Sequence, residues 1–97
     1  MAVNYVDYEV LERGKNVYST KAGELQQILT DLVRMNGDLS QGWQNDTARA
    51  FVERFDNDHR VAINKVVDAL NEISQYIQTY STNRQDEDSQ GASSIGG

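Results

Sequence analysis

A single break divides two long segments with helical spacing of apolar residues, and it lies at Gly42-Trp43-Gln44-Asn45. Gly42 predicts the end of a helix, because glycine takes left-handed backbone angles without a Cβ clash. Asn45 tolerates a positive φ better than other non-glycine residues, and Asp46 offers a carboxylate N-cap to the next helix. The break therefore predicts a tight turn over residues 41–46, with Trp43 lying across both helices as a hydrophobic clasp.

The segment before the break predicts one helix over about residues 7–40, with Asp7 as its N-cap. Apolar residues recur in steps of three and four, most regularly from Leu25 to Leu39. The chain contains no proline, so the strongest helix breaker is absent.

The segment after the break predicts a second helix over about residues 47–83, and its apolar residues form two adjacent stripes. Facing helices use only about one stripe apiece, so we expect the surplus to bind a partner, with two hairpins forming a four-helix bundle. Such a bundle would be a rod about 50–55 Å long. The first stripe comprises Ala48, Phe51, Phe55, Ala62, Val66, Ala69, Ile73, Tyr76 and Tyr80. The predicted dimer face is drawn from the second stripe and comprises Val52, Ile63, Val67, Leu70 and Ile77.

Composition limits the classes of protein that this chain can represent. Its 97 residues allow one small domain, residues 1–83, followed by an acidic Ser/Gly-rich segment, residues 84–97, that predicts a disordered tail. The net charge of −6 disfavours nucleic-acid binding, and no apolar run is long enough to span a membrane. Without cysteine there is no disulfide framework or thiolate metal site. The first residues lack the basic and apolar regions of a signal peptide.

No arrangement of residues predicts catalysis, a cofactor or a metal. His59 is the only histidine and lies near Asp56 and Asp58, but one helical turn separates it from Phe55 and Ile63, which favours a structural position. The segment Asp56-Asn57-Asp58 superficially resembles a calcium-binding loop, but it lacks the glycine and the distal glutamate of that pattern. No serine or threonine is spaced to pair with a base, and an all-helical enzyme would need a polar constellation that the sequence lacks.

The centre of the chain resembles the WXG-type family, the early-secretory-antigen-like substrates of type VII secretion. The resemblance extends from about Asp7 to Arg84, and Asn45 replaces the glycine of the Trp-x-Gly motif. It agrees with an all-α fold, an antiparallel two-helix hairpin with a Trp-x-Asn turn that dimerises into a four-helix bundle. The turn motif comprises Gly42, Trp43, Asn45 and Asp46, and the residues predicted to pack beneath it are Leu39, Ala48, Phe51 and Phe55.

The resemblance also implies a function based on protein contact. The protein would be a co-secreted partner or an adaptor for larger effectors, a homodimer or a heterodimer with a related hairpin, and secreted or surface-bound without a signal peptide. A secretion ATPase could recognise Trp43. The implied export-signal region holds Tyr76 and Tyr80, although neither has the acidic residue four positions later that mycobacterial-type members often carry. The alternative is a cytosolic helical scaffold or chaperone-like module that is not exported.

Overall fold

The computed structural model describes the backbone of residues 5–96 and the side chains of residues 5–88. Helix α1 spans Tyr8–Gly42, helix α2 spans Asp46–Arg54, and helix α3 spans Arg60–Gly96. A π-helical turn, Phe55–His59, joins α2 to α3 without a break, so we refer to Asp46–Gly96 as the second arm. No strand occurs in this part of the chain, and α1 and the second arm form an extended antiparallel hairpin.

Helix α1 begins where the sequence places a capping residue. The Asp7 side chain accepts hydrogen bonds from the backbone N–H groups of Glu9 and Val10, at 3.0 and 3.3 Å. These bonds satisfy two of the four N–H groups that the first turn of a helix leaves without a partner. The helix then runs two residues beyond the predicted end and includes Gly42.

The two arms contact each other along one row of residues on each, which we call the seam. On α1 the seam includes the buried residues Ala22 and Leu29, and on the second arm it includes Ala48, Phe55 and Val67. The Ser74 hydroxyl donates a 2.9 Å hydrogen bond to the Lys15 carbonyl, and Gly14 lies against Ile77. These two contacts fix the register of α1 against α3.

Helix α3 continues to Gly96, through most of the segment for which the composition predicts a disordered tail. Its described side chains make contacts that support this: Arg84 pairs with Asp88 one turn later, at 3.7 Å, and the Tyr8 hydroxyl donates a hydrogen bond to Asp88. That bond raises the pKa of the Tyr8 phenol above its usual value. The longer helix also makes the hairpin 75 Å long, more than the sequence predicted. The side chains of residues 89–97 lie outside the description.

None of the helices in the described part of the chain combines the length and the apolar character that crossing a membrane requires.

Candidate functional site

The turn between the arms is built around Trp43. This residue ends α1 in an extended conformation, with φ −142° and ψ 93°. Its ring lies 5.8 Å from the ring of Phe51, with the two planes tilted by 46°, a favourable arrangement for an aromatic pair. Trp43 remains 36% exposed and Phe51 43% exposed. The tryptophan therefore packs on the first turns of the second arm while keeping part of its surface available to a partner.

Asn45 plays a different role from the predicted one. Its φ of −154° is extended backbone, and no described residue of the chain has a positive φ, Gly42 included. The predictions of left-handed Gly42 and Asn45 were therefore wrong, and the chain reverses with Trp43 and Asn45 both in extended conformations. Asn45 is itself the N-cap, accepting a 2.8 Å hydrogen bond from the Ala48 N–H. Asp46, the predicted cap, is the first helical residue and pairs with Arg49.

This capping role gives a testable expectation for Asn45. Replacing it with Ala removes the acceptor for the Ala48 N–H and should lower the free energy of unfolding by about 1 kcal/mol. Asn45→Asp should keep most of the stability, since Asp accepts the same bond. Urea melts of both variants and the wild type check this. Equal losses for Asp and Ala would mean that the side chain does not act as a cap.

Two shallow grooves flank the Trp43 ring. One has a volume of about 380 Å³ and runs between the end of α1, at Leu39, and the α2 residues Ala48 and Val52. The other, about 410 Å³, lies between Trp43, Phe51 and His59. Of the residues predicted to pack beneath the motif, Ala48 and Phe55 are buried, Leu39 is half-buried and Phe51 is exposed.

The charged residues of the π-helical turn are engaged with their neighbours on the same helix. Asp56 lies 3.9 Å from Arg60, and Asp58 lies 3.4 Å from Arg54. His59 is exposed, with its ring 6.4 Å from the ring of Phe55. Among the described residues, no group of histidines and carboxylates is placed to hold a metal ion.

The π-helical turn decides which stripe of the second arm faces α1. The Arg60 N–H bonds to the carbonyl of Phe55, five residues earlier, so the turn accommodates one extra residue. The seam consequently passes from Phe55 to Ile63, where regular helical spacing would have brought Ala62 inward. The sequence indicates this shift only weakly, through three consecutive residues of low helix propensity at positions 56–58.

The structure places the residues of the predicted dimer face along the seam with α1 instead. Val67 is buried, and the other members of that set are half-buried along the seam with α1. Many of the apolar residues left exposed lie one position before the seam on each arm. We call this set the open face: Val10, Val17, Ile28, Leu32 and Met35 on α1, with Ala62, Val66, Ala69, Ile73 and Tyr80 on α3.

The two halves of the open face lie on one side of the hairpin. Each row stands one residue, about a quarter turn, before the seam of its own helix. Antiparallel helices that face each other are related by a local twofold axis perpendicular to their common plane. The same offset from the seam therefore directs both rows to the same side. Tyr80 belongs to this face, and Tyr76, which precedes the seam residue Ile77, continues it and is 73% exposed.

The comparisons with known proteins agree with this architecture. The family model WXG100, described as proteins of 100 residues with WXG, matches residues 5–89. A search among curated proteins finds no match. The match covers the hairpin, the turn and the open face. This chain therefore belongs to the WXG100 family.

Proposed function

We propose that this protein is a small secreted component of a type VII secretion system that acts by protein contact, as a co-secreted partner or an adaptor of effectors. The family is associated with type VII secretion, and its members typically form dimers of helical hairpins. The observation that carries the proposal is the open face, an apolar surface that spans both helices and has no partner within the described chain.

The open face suits a related hairpin better than a small ligand. It extends from Val10 to Met35 along α1, and an extended apolar surface of this kind marks a protein interaction site. A second hairpin offers a surface of matching length, so that two such faces together enclose the core of a four-helix bundle. Within the described part of one chain only five hydrophobic residues are buried, two of them alanines. Pairing would supply the core that the single hairpin lacks.

Much of the remaining helix surface is polar and suits contact with water. On α1, Lys15 pairs with Glu12 at 2.8 Å, and Arg34 lies 3.7 Å from Asp31. Such exposed pairs add little stability, but they keep these faces solvated and unattractive to apolar partners. The contrast with the open face supports a single preferred direction of association.

Trp43 is our candidate for recognition by the secretion ATPase. It projects from one end of the hairpin, away from the middle of the open face, so a dimer would leave it accessible. Its partial exposure and the two flanking grooves provide an apolar contact that a receptor could enclose. Aromatic anchors of this kind often dominate binding energy. We place the export-signal region at Tyr76 and Tyr80, toward the other end of the hairpin.

Export into the medium tests the proposal against the alternative of a cytosolic scaffold. The protein should reach the medium or cell surface in a strain with a type VII system, without a signal peptide, and should stay inside when the secretion ATPase is deleted. A cytosolic enzyme measured in the same fractions controls for lysis. Retention in both strains, with the protein folded and abundant in the cytosol, would favour the scaffold and contradict the proposal.

A substitution at Trp43 separates recognition from packing. Because the ring is partly exposed, Trp43→Ala should lower the free energy of unfolding by only about 1–2 kcal/mol. Export should fall much further than this loss of stability explains. Asn71→Ala, at an exposed position remote from the turn, should leave both quantities unchanged. Normal export of a folded Trp43→Ala variant would show that Trp43 is not the recognition residue.

A further inference from the structure

We propose that the two arms separate from each other at the end of the hairpin opposite the turn, while the part next to the turn stays closed. We call this end the free end, and it comprises residues 8–21 of α1 and residues 68–88 of α3. The hydrogen bond from Tyr8 to Asp88 holds the free end closed and sets how often it opens. The opening is a property of the single hairpin, so the inference goes beyond the proposed function.

The apolar core of the hairpin stops short of the free end. The five buried hydrophobic residues of the described chain all lie at or above the level of Ala22 and Val67, toward the turn. These two residues are opposite each other, because the Ser74 hydroxyl contacts the Lys15 carbonyl and each lies seven positions closer to the turn. Burial of apolar side chains therefore holds the arms together mainly on the turn side of this level.

The seam at the free end is built from small, polar and half-buried residues. Ser81, a polar residue, is the one buried residue in the described free end. Gly14 brings no side chain to its contact with Ile77. The Arg84 Nε is enclosed without a hydrogen-bond partner among the described residues, and such a donor lowers the stability of the closed form.

The larger apolar side chains of this part of α3 are directed away from α1. Ile73, Tyr76 and Tyr80 each precede a residue of the seam and remain exposed. Closing the free end consequently buries little apolar surface, and opening it exposes little that was buried. Local opening of this kind is drawn from the parts of a protein with the fewest buried apolar contacts.

Two hydrogen bonds join the arms within the free end. The bond between Ser74 and Lys15 lies close to the core, whereas Tyr8 and Asp88 meet at the outer limit, 80 positions apart in the sequence. The hydrogen bond to Asp88 raises the pKa of the Tyr8 phenol, so the donor proton stays in place. A single hydrogen bond contributes modestly to stability. The outer bond therefore changes the population of the opened form severalfold without closing the free end permanently.

Opening changes what the two ends of the molecule offer to a partner. The Trp43 end keeps its packing, because Phe55 and the rest of the core lie on that side. At the free end, Ile77 leaves α1 and joins Tyr76 and Tyr80 as accessible surface on α3. This consequence, unlike the opening itself, rests on the proposed function, which places the export-signal region at these tyrosines.

Thiol labelling measures the opening directly, since the chain has no native cysteine. Ser81→Cys and Val67→Cys place a thiol on the same helix at similarly buried positions, 8% and 5% exposed. A buried thiol reacts only when its surroundings open. After division by the rate in urea, the Ser81→Cys thiol should react at least about tenfold faster, because its exposure does not require the core to open. Equal rates would mean that the hairpin opens only as a whole, which would overturn the proposal.

Removing one hydroxyl tests the role of the outer hydrogen bond. Tyr8→Phe keeps the ring and should speed labelling of Ser81→Cys about threefold to tenfold, with no change at Val67→Cys. Tyr18→Phe, on the same helix, is the matched control and should change neither rate. No acceleration, or equal acceleration at both positions, would show that the Tyr8–Asp88 bond does not hold the free end closed.

Hydrogen exchange of the wild-type chain tests the opening without any substitution. Backbone amides of residues 74–84 should exchange at least about tenfold faster than those of residues 61–70, because the free end opens without the core. Uniform protection along α3 would overturn the proposal even if a cysteine variant failed to fold. Both measurements use the purified chain, so their failure would leave the proposed function, which export tests, untouched.

Discussion

Replacing Val67 with Asp should unfold the hairpin. Val67 is 5% exposed at the centre of the seam between α1 and α3. A carboxylate there has no partner and loses its hydration, so we expect a loss of about 3–5 kcal/mol. Small domains have a free energy of unfolding of about 5–15 kcal/mol, so such a loss removes much of it. Circular dichroism should show low helicity and no cooperative thermal transition at any protein concentration.

The adjacent residue provides a matched control for this prediction. Val66 is 48% exposed on the open face, so Val66→Asp should weaken association and leave the seam intact. Its helicity should exceed that of Val67→Asp and should no longer depend on concentration. If Val66→Asp instead lost its helicity while Val67→Asp stayed folded and dimeric, our assignment of the two stripes would be reversed.

Replacing Phe55 with Ala should be the second large effect. Phe55 is 8% exposed where the second arm enters the π-helical turn, so its truncation leaves a cavity in a small core. Large-to-small changes at such aromatic positions cost about 3–5 kcal/mol. The midpoint of a urea melt should fall accordingly.

Phe51 is the matched control for Phe55. It is 43% exposed and touches Trp43 rather than the seam, so Phe51→Ala should cost about 1–2 kcal/mol. Similar losses for the two phenylalanines would mean that Phe55 does not close the end of the hairpin core.

The hairpin itself could be predicted from the sequence, because its signals are local. Helical spacing, the Asp7 cap and the lack of proline determine two long helices, and the break near Trp43 separates them. The conformation of the turn could not be predicted equally well. Asparagine favours both left-handed backbone and N-cap positions, and the residues alone do not decide between these roles. The structure assigns Asn45 to the cap.

The inward face of the second arm could not be predicted, because one extra residue in the π-helical turn rotates everything after it. Regular spacing carries the stripe of Phe55 on to Ala62 and Val66, whereas the structure brings Ile63 and Val67 inward. The apolar residues were identified correctly as two stripes, but their roles beyond the turn were exchanged. A shift that depends on the backbone hydrogen bonding of one turn leaves little trace in hydrophobic periodicity.

The end of α3 differed from its prediction for another reason. Composition predicts disorder because residues 84–97 offer few apolar groups. It does not register contacts to distant residues. Asp88 meets Tyr8 on α1 as well as Arg84 on its own helix, and these polar contacts accompany a longer helix.

The mass of the wild-type protein in solution tests the central claim most directly, namely that the open face is an interface between hairpins. Size-exclusion chromatography with light scattering, from low to high micromolar concentration, should give twice the chain mass of 10.9 kDa. The same measurement on Val66→Asp should give the mass of one chain. The claim would be contradicted if the wild type were a fully helical monomer at every concentration and Val66→Asp left its cooperative melt unchanged. The open face would then need no partner.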